Sequence, residues 1–87
     1  MLYLNKVINV KGLIIVGSKE VASIIKGIID DYWAKDIDKY QATQKIEEIM
    51  RQRENRVKII RGTEKTSVFI RIMGVRRLST FDELYSN

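Results

Sequence analysis

The strongest structural signal in this sequence is a set of apolar side chains that repeats at helical spacing between residues 21 and 33. Its members are Val21, Ile24, Ile25, Ile28, Ile29, Tyr32 and Trp33. The positions between them are mostly charged or small, so one face is apolar and the other is polar. This spacing predicts about four turns of amphipathic α-helix with the apolar stripe in the core. Ser18 stands just before the pattern and is the expected N-cap.

A second helix is predicted shortly after the first. Residues 34–37 make a short connection, which favours an antiparallel helical hairpin. Asp38 can cap the new helix, and Gln41 stands three positions later to complete a capping box. A narrower apolar stripe follows at Ala42, Ile46, Ile49 and Met50. Residues 51–56 are wholly polar, so we expect the helix to end in or shortly before them.

The first sixteen residues favour β-structure. Two short β-branched and aliphatic runs, at residues 7–10 and 13–16, are separated by Lys11 and Gly12. Such runs predict one strand or a short hairpin. Together with the helical hairpin, they indicate a mostly helical α+β protein in which residues 1–87 form a single small domain.

Residues 57–73 fit two different structures. As β, Val57 and Ile59 belong to a first strand, residues 62–65 turn, and residues 68–72 return. As helix, Thr66 or Ser67 provides the N-cap and Gly74 the left-handed terminator. The residue pattern alone favours neither structure.

The last residues predict a short terminal helix. Phe81, Leu84 and Tyr85 have helical spacing after Ser79 or Thr80. Leu78 is expected to be the first apolar residue of this packed segment, which leaves Arg76 and Arg77 on a short exposed connection. A helix-turn-helix could place its second helix after Gly74, but Thr80 and Glu83 stand where that motif needs buried apolar side chains.

Positive charge is concentrated in one part of the sequence. Residues 51–77 contain nine cations and two carboxylates, a net charge of +7, whereas the rest of the chain carries −2. All seven arginines lie in this window, and the guanidinium fork suits phosphate oxygens. We therefore expect a surface that faces the phosphate backbone of DNA or RNA, formed by Lys58, Arg61, Lys65, Arg71, Arg76 and Arg77. The alternative is a protein-interaction or dimerisation module, in which the arginines pair with an acidic partner or a second copy.

The composition argues against catalysis. Without histidine or cysteine, the common catalytic triads and zinc sites cannot form. The paired acids Asp30 and Asp31 fall on the polar face of the first helix, and Asp38 has a capping role. No glycine-rich phosphate loop is present. We expect a non-catalytic protein with no cofactor and no metal site.

The sequence also favours a cytoplasmic protein that does not enter a membrane. The longest uninterrupted apolar run in the N-terminal segment, residues 13–16, has only four residues, far short of the ~20 that a membrane span needs. A chain without cysteine suits a reducing compartment.

Several of these residues together resemble a family of short uncharacterised proteins from clostridia and related Firmicutes and their mobile elements. The similar stretches are "EVASIIKGIIDDYW", an asparagine after the second helix, and "TSVFIRIMGVRRL". The positions that carry the resemblance are Tyr32, Trp33, Ile37, Asn55, Thr66, Ser67, Gly74, Arg77 and Leu78. The resemblance implies a helix for residues 66–73 and implies no particular activity.

Overall fold

Four α-helices and two small β-hairpins make up the part of the chain that this computed structural model describes, residues 8–10, 13–15 and 17–85. In chain order they are β1 (Ile8–Val10), β2 (Leu13–Ile15), α1 (Ser18–Trp33), α2 (Lys39–Arg51), α3 (Arg53–Ile59), β3 (Ile60–Arg61), β4 (Glu64–Lys65) and α4 (Ser67–Leu84). The predicted α+β class with mostly helical content is confirmed.

Of the two predicted alternatives for the N-terminal segment, one strand or a short hairpin, the structure contains the hairpin. β1 and β2 are antiparallel, with Ile8 opposite Ile15 and Val10 opposite Leu13. The predicted turn at Lys11 and Gly12 lies outside the described residues, as do residues 1–7, 16 and 86–87.

Most of the predicted apolar stripe of α1 lies in the core. Val21, Ile25, Ile28 and Ile29 are buried, and so is the neighbouring Ala22. The prediction was wrong for Ile24 and Trp33, which are 49% and 42% exposed. The predicted cap was wrong by one residue, because Gly17 is the N-cap and Ser18 is already helical. No side chain caps this helix end.

The C-terminal end of α1 forms a Schellman motif. Lys35 donates its backbone N–H to the carbonyl of Tyr32 (3.1 Å), and Asp36 donates to Asp31 (2.9 Å). Lys35 has φ +67°, the left-handed conformation that this motif requires. The motif turns the chain from α1 into the start of α2.

The capping box of α2 is confirmed. Asp38 Oδ1 accepts from the backbone N–H of Gln41 (2.8 Å), and Gln41 Oε1 accepts from the N–H of Asp38 (3.0 Å). The predicted apolar stripe is buried at Ala42, Ile46 and Met50. Residues local to one helix end therefore fixed this boundary.

The polar segment after α2 does not end the helical structure. After a break at Gln52, α3 begins at Arg53 and runs to the buried Ile59. Asn55 Nδ2 donates to the carbonyl of Ile49 (3.2 Å), and Arg56 Nη1 donates to Met50 (3.0 Å). These side chains satisfy carbonyl groups that the end of α2 leaves without helical partners.

Residues 57–73 contain the predicted helix but not the two predicted strands. Val57 and Ile59 lie in α3, and residues 68–72 lie in α4. Between these helices, a short hairpin with two residues in each strand pairs Ile60 with Lys65 and Arg61 with Glu64, and Gly62 turns it at φ +62°. The chain is then helical from Ser67. Thr66 caps this helix, because its Oγ1 accepts from the N–H of Phe69 (3.4 Å) and also donates to the carbonyl of Lys58 (2.8 Å).

Helix α4 is bent at Gly74, which has φ 78° and ψ 166°. The rings of Phe69 and Phe81 pack edge to face with their centroids 5.0 Å apart. A straight helix would separate these positions by about 18 Å along its axis, so the bend is what brings the two rings together. The second segment begins directly after Gly74, so the predicted connection at Arg76 and Arg77 was wrong, because both residues are helical.

The core is formed by apolar side chains from all four helices. Within the described residues it contains no buried polar or charged side chain. Helix α1 packs against α2, α3 and α4. The core members outside α1 are Ala42, Ile46, Met50, Ile59, Phe69, Met73, Phe81 and Leu84.

Candidate nucleic-acid interface

Arg77 uses its guanidinium group within the fold. Its Nε donates to Asp30 Oδ1 (2.9 Å), and its Nη1 donates to the carbonyl of Met73 (3.3 Å). The guanidinium carbon also lies 5.5 Å from the ring centroid of Trp33. Arg77 thus joins the second segment of α4 to the first segment and to α1, and these hydrogen bonds use two of its five N–H donors.

The same contacts affect the acid that Arg77 meets. The hydrogen bond from Arg77 lowers the pKa of Asp30 below its ordinary value. The positive charge of Arg77 and of Lys26, whose Nζ lies 3.7 Å from Asp30 Oδ2, acts in the same direction, while burial opposes it. Asp30 is therefore a fixed negative partner for Arg77 and has a role inside the fold.

Lys65 also has a carboxylate partner. Its Nζ lies 2.9 Å from Asp82 Oδ1. This pair connects β4 to the second segment of α4. Neutralisation by Asp82 reduces what Lys65 can contribute to a phosphate-facing surface.

Lys58 and Arg61 line one surface groove of about 390 Å³. The residues around it are Ser18, Val57, Lys58, Arg61, Thr66, Ser67 and Val68, and we call it the cationic groove. It forms where the end of α3, the β3–β4 hairpin and the starts of α1 and α4 meet. Of the described residues that line it, two are cations and none is an acid.

Two other grooves in the described part of the chain have a different charge balance. The larger, of about 740 Å³, has Lys35 and Lys39 beside three acids, Asp36, Asp38 and Glu83. The other, of about 410 Å³, has Lys45 and Arg51 beside Glu47 and Glu48. Among these three grooves, the cationic groove alone has a net positive lining.

The remaining two predicted cations are exposed on α4. Arg71 stands one turn after Ser67, so it extends the side of α4 that contributes to the cationic groove. Arg76 follows the bend and lines none of the three grooves. The structure therefore brings Lys58 and Arg61 together and places Arg71 on the neighbouring turn of α4. Lys65 lies on β4 opposite Ile60, beside Arg61, but it is paired with Asp82. Arg76 and Arg77 line none of the three grooves.

Residues 17–86 match a family described as conserved hypothetical protein. The chain belongs to this family. The matched region begins at the N-cap of α1 and contains all four described helices, whereas the N-terminal hairpin precedes it. No curated protein and no solved structure matches the chain.

Several of the residues that carry the sequence resemblance stabilise the fold. Trp33 and Arg77 contact each other, Asn55 caps the end of α2, Thr66 caps α4, and Gly74 makes the bend. The family description names no activity. The cationic groove is therefore the feature of the structure that bears on function.

Sequence reasoning missed the groove residues that carry no charge. Ser18, Val57, Ser67 and Val68 come from three separate segments, and nothing in their local pattern indicates a shared surface. The pairing of Arg77 with Asp30 was also missed, because 47 positions separate them. The "DDYW" stretch contained the only sequence signal for this pairing. An acid and a tryptophan near the end of a helix can bind an arginine side chain through a hydrogen bond and a cation–π contact.

The described residues contain no cluster of three or more histidine, cysteine, aspartate or glutamate side chains able to hold a metal ion. Among the described helices, none has the length and apolar character needed to cross a membrane.

Proposed function

We propose that this protein is a non-catalytic, cytoplasmic module that binds the phosphate backbone of nucleic acids through the cationic groove. The observation that carries the proposal is the charge of that groove, whose lining has two cations and no carboxylate among the described residues. A concave surface lined by one sign of charge attracts ions of the opposite sign, which here are the phosphates of a nucleic acid. The excess of arginine and lysine in residues 51–77 supports the same interaction.

The proposed surface is smaller than the sequence predicts. Arg77 and Lys65 have carboxylate partners, and Arg76 lies apart, so the binding surface comprises Lys58, Arg61 and Arg71. About three phosphate contacts give a log–log slope of affinity against salt near −3 for duplex DNA. Six contacts would have given a slope near −5.

Fluorescence anisotropy with labelled DNA and RNA at low salt tests this proposal. The double variant Arg61→Gln, Arg71→Gln should lose most of the binding. Its matched control is Lys45→Gln, Arg51→Gln, which removes two cations from the groove where Glu47 and Glu48 balance them. The proposal fails if the wild-type protein does not bind, or if both double variants lose affinity equally.

A protein-interaction module is the second candidate, and the exposed apolar side chains favour it. Val75 is 84% exposed and Tyr40 is 69% exposed, so neither is covered within the described residues. Exposed apolar side chains often mark protein-binding surfaces when they form contiguous patches. Light scattering on the wild-type protein should then show a dimer, and Val75→Asp or Tyr40→Asp should dissociate it. A monomeric wild-type protein would contradict dimerisation.

A further inference from the structure

We infer that the cationic groove selects single-stranded nucleic acid over duplex. This inference rests on the proposed function, and it adds the class of nucleic acid that the groove accepts. Three properties of the groove carry it: its concave shape, its charge and its exposed apolar wall.

The shape of the groove suits a flexible strand better than a rigid duplex. Proteins that read a duplex insert a protruding helix or β-ribbon into its major groove. Here Lys58 and Arg61 line a recess of about 390 Å³ between elements. Single-strand binders combine a positively charged groove along the backbone with aromatic side chains on which bases stack, and this recess supplies the first of these two features. A single strand can bend into such a recess, whereas a duplex contacts only its rim.

The apolar wall gives an unstacked base something to contact. Val57 is 46% exposed, and with Val68 it lines the groove beside the two cations. In a single strand, a base can turn away from its neighbours and cover these side chains while its phosphate meets Arg61. In a duplex, the bases stay paired and stacked inside, so Val57 gains no cover.

The lining also predicts how selective the binding is. None of the described residues around the groove is aromatic, so it offers no ring on which a base can stack. Contact with valine does not distinguish one base from another. We therefore expect sequence-tolerant binding of modest affinity, dominated by phosphate contacts.

The test compares single strands with a duplex of the same sequence by fluorescence anisotropy. The probes are a DNA strand, an RNA strand and a DNA duplex, each of about 12 nucleotides, which lies within the range of single-strand site sizes. We expect at least one single strand to bind about tenfold more tightly than the duplex. Affinity for the strand should fall roughly 15- to 20-fold between about 50 and 200 mM salt if three phosphates are contacted.

Two variants distinguish the contribution of the apolar wall to binding from the general effect of replacing an exposed valine. Val57→Asn should weaken single-strand binding about fivefold and leave duplex binding unchanged, because it removes apolar contact and no charge. Val75→Asn is the matched control, since it makes the same change at an exposed valine outside the groove. Circular dichroism checks that both variants are folded. Arg61→Gln should weaken binding to every probe.

The outcomes distinguish the two proposals. Binding to the duplex that equals or exceeds binding to both strands overturns single-strand selectivity and leaves the proposed function in place. Equal effects of Val57→Asn and Val75→Asn overturn the role of the groove wall. Failure of all probes to bind overturns the proposed function itself.

Discussion

Replacing Gly74 with alanine should destabilise the protein, because the bend in α4 uses a backbone conformation that is almost restricted to glycine. Gly74 has φ 78° and ψ 166°, where a Cβ atom meets its own backbone. A Cβ placed there would have no other heavy atom within 4 Å. The effect of the substitution therefore comes from the backbone and involves no clash with a neighbour.

The expected loss in the free energy of unfolding is about 2 kcal/mol. A residue held in a sparsely populated region costs of order 1–3 kcal/mol. The chain could avoid this strain by straightening α4, but Phe69 and Phe81, which are 0% and 1% exposed, would then separate. Losing a buried phenylalanine from a core costs about 3–5 kcal/mol. The bend should therefore persist under strain, with a fall in Tm of roughly 8–16 °C.

Gly27→Ala is the matched control for this prediction. Gly27 is exposed within α1, and a Cβ there would likewise meet nothing within 4 Å. Its backbone is helical, so alanine should stabilise the protein by about 0.5–1 kcal/mol. Urea unfolding followed by far-ultraviolet circular dichroism measures both variants. If Gly74→Ala is as stable as the wild type, the reasoning about the bend is wrong.

Three further predictions concern the contacts around α1. Arg77→Lys should lower the free energy of unfolding by about 1–2 kcal/mol although it keeps the charge, because lysine lacks the guanidinium donors to Asp30 and Met73. Urea unfolding in a double-mutant cycle with Asp30→Asn measures the coupling between the two side chains. Additive effects of the two substitutions would contradict this coupling. Arg77 lowers the pKa of Asp30, so the contribution of this pair to stability is present above the unfolded pKa of about 3.9 and is lost as pH falls through the folded pKa. The stability of Asp30→Asn should therefore depend less on pH in that range than the stability of the wild type. An unchanged pH profile of stability would argue against the pairing. Lys35→Gly should raise the free energy of unfolding by about 0.5–1 kcal/mol, since φ is +67° at this position. Lys35→Ala should not give this gain. Equal effects of the two variants would refute the backbone explanation.

Predictions based on local patterns were the most accurate. The stripe from Val21 to Ile29 and the capping box of Asp38 and Gln41 depend on residues within one or two turns of each other. The helix end predicted in or shortly before residues 51–56 is confirmed, since α2 ends at Arg51, but the polar sequence gave no sign that α3 begins at Arg53. In the structure, Asn55 and Arg56 point back to carbonyl groups at the end of α2, and a helix starts among them.

The predicted phosphate-facing residues illustrate a different limit. A count of charge treats all six predicted cations as equivalent: Lys58, Arg61, Lys65, Arg71, Arg76 and Arg77. Their environments differ because Asp30 and Asp82, distant in sequence, reach two of them. The surface proposed for binding accordingly leaves out Arg77 and Lys65, which pair with these two acids.

The sequence by itself determined the mostly helical class, the apolar face of α1, the capped start of α2 and the concentration of positive charge, because helical periodicity, capping and net charge are local or summed properties. Tertiary structure alone decided the course of α4 and the use of each arginine. Gly74 permits a bend, but the packing of Phe69 on Phe81 selects it. Likewise, Arg77 becomes an internal contact only when α1 brings Asp30 and Trp33 to it. Contacts between distant residues depend on how the helices pack, and a pattern of neighbouring residues does not contain that information.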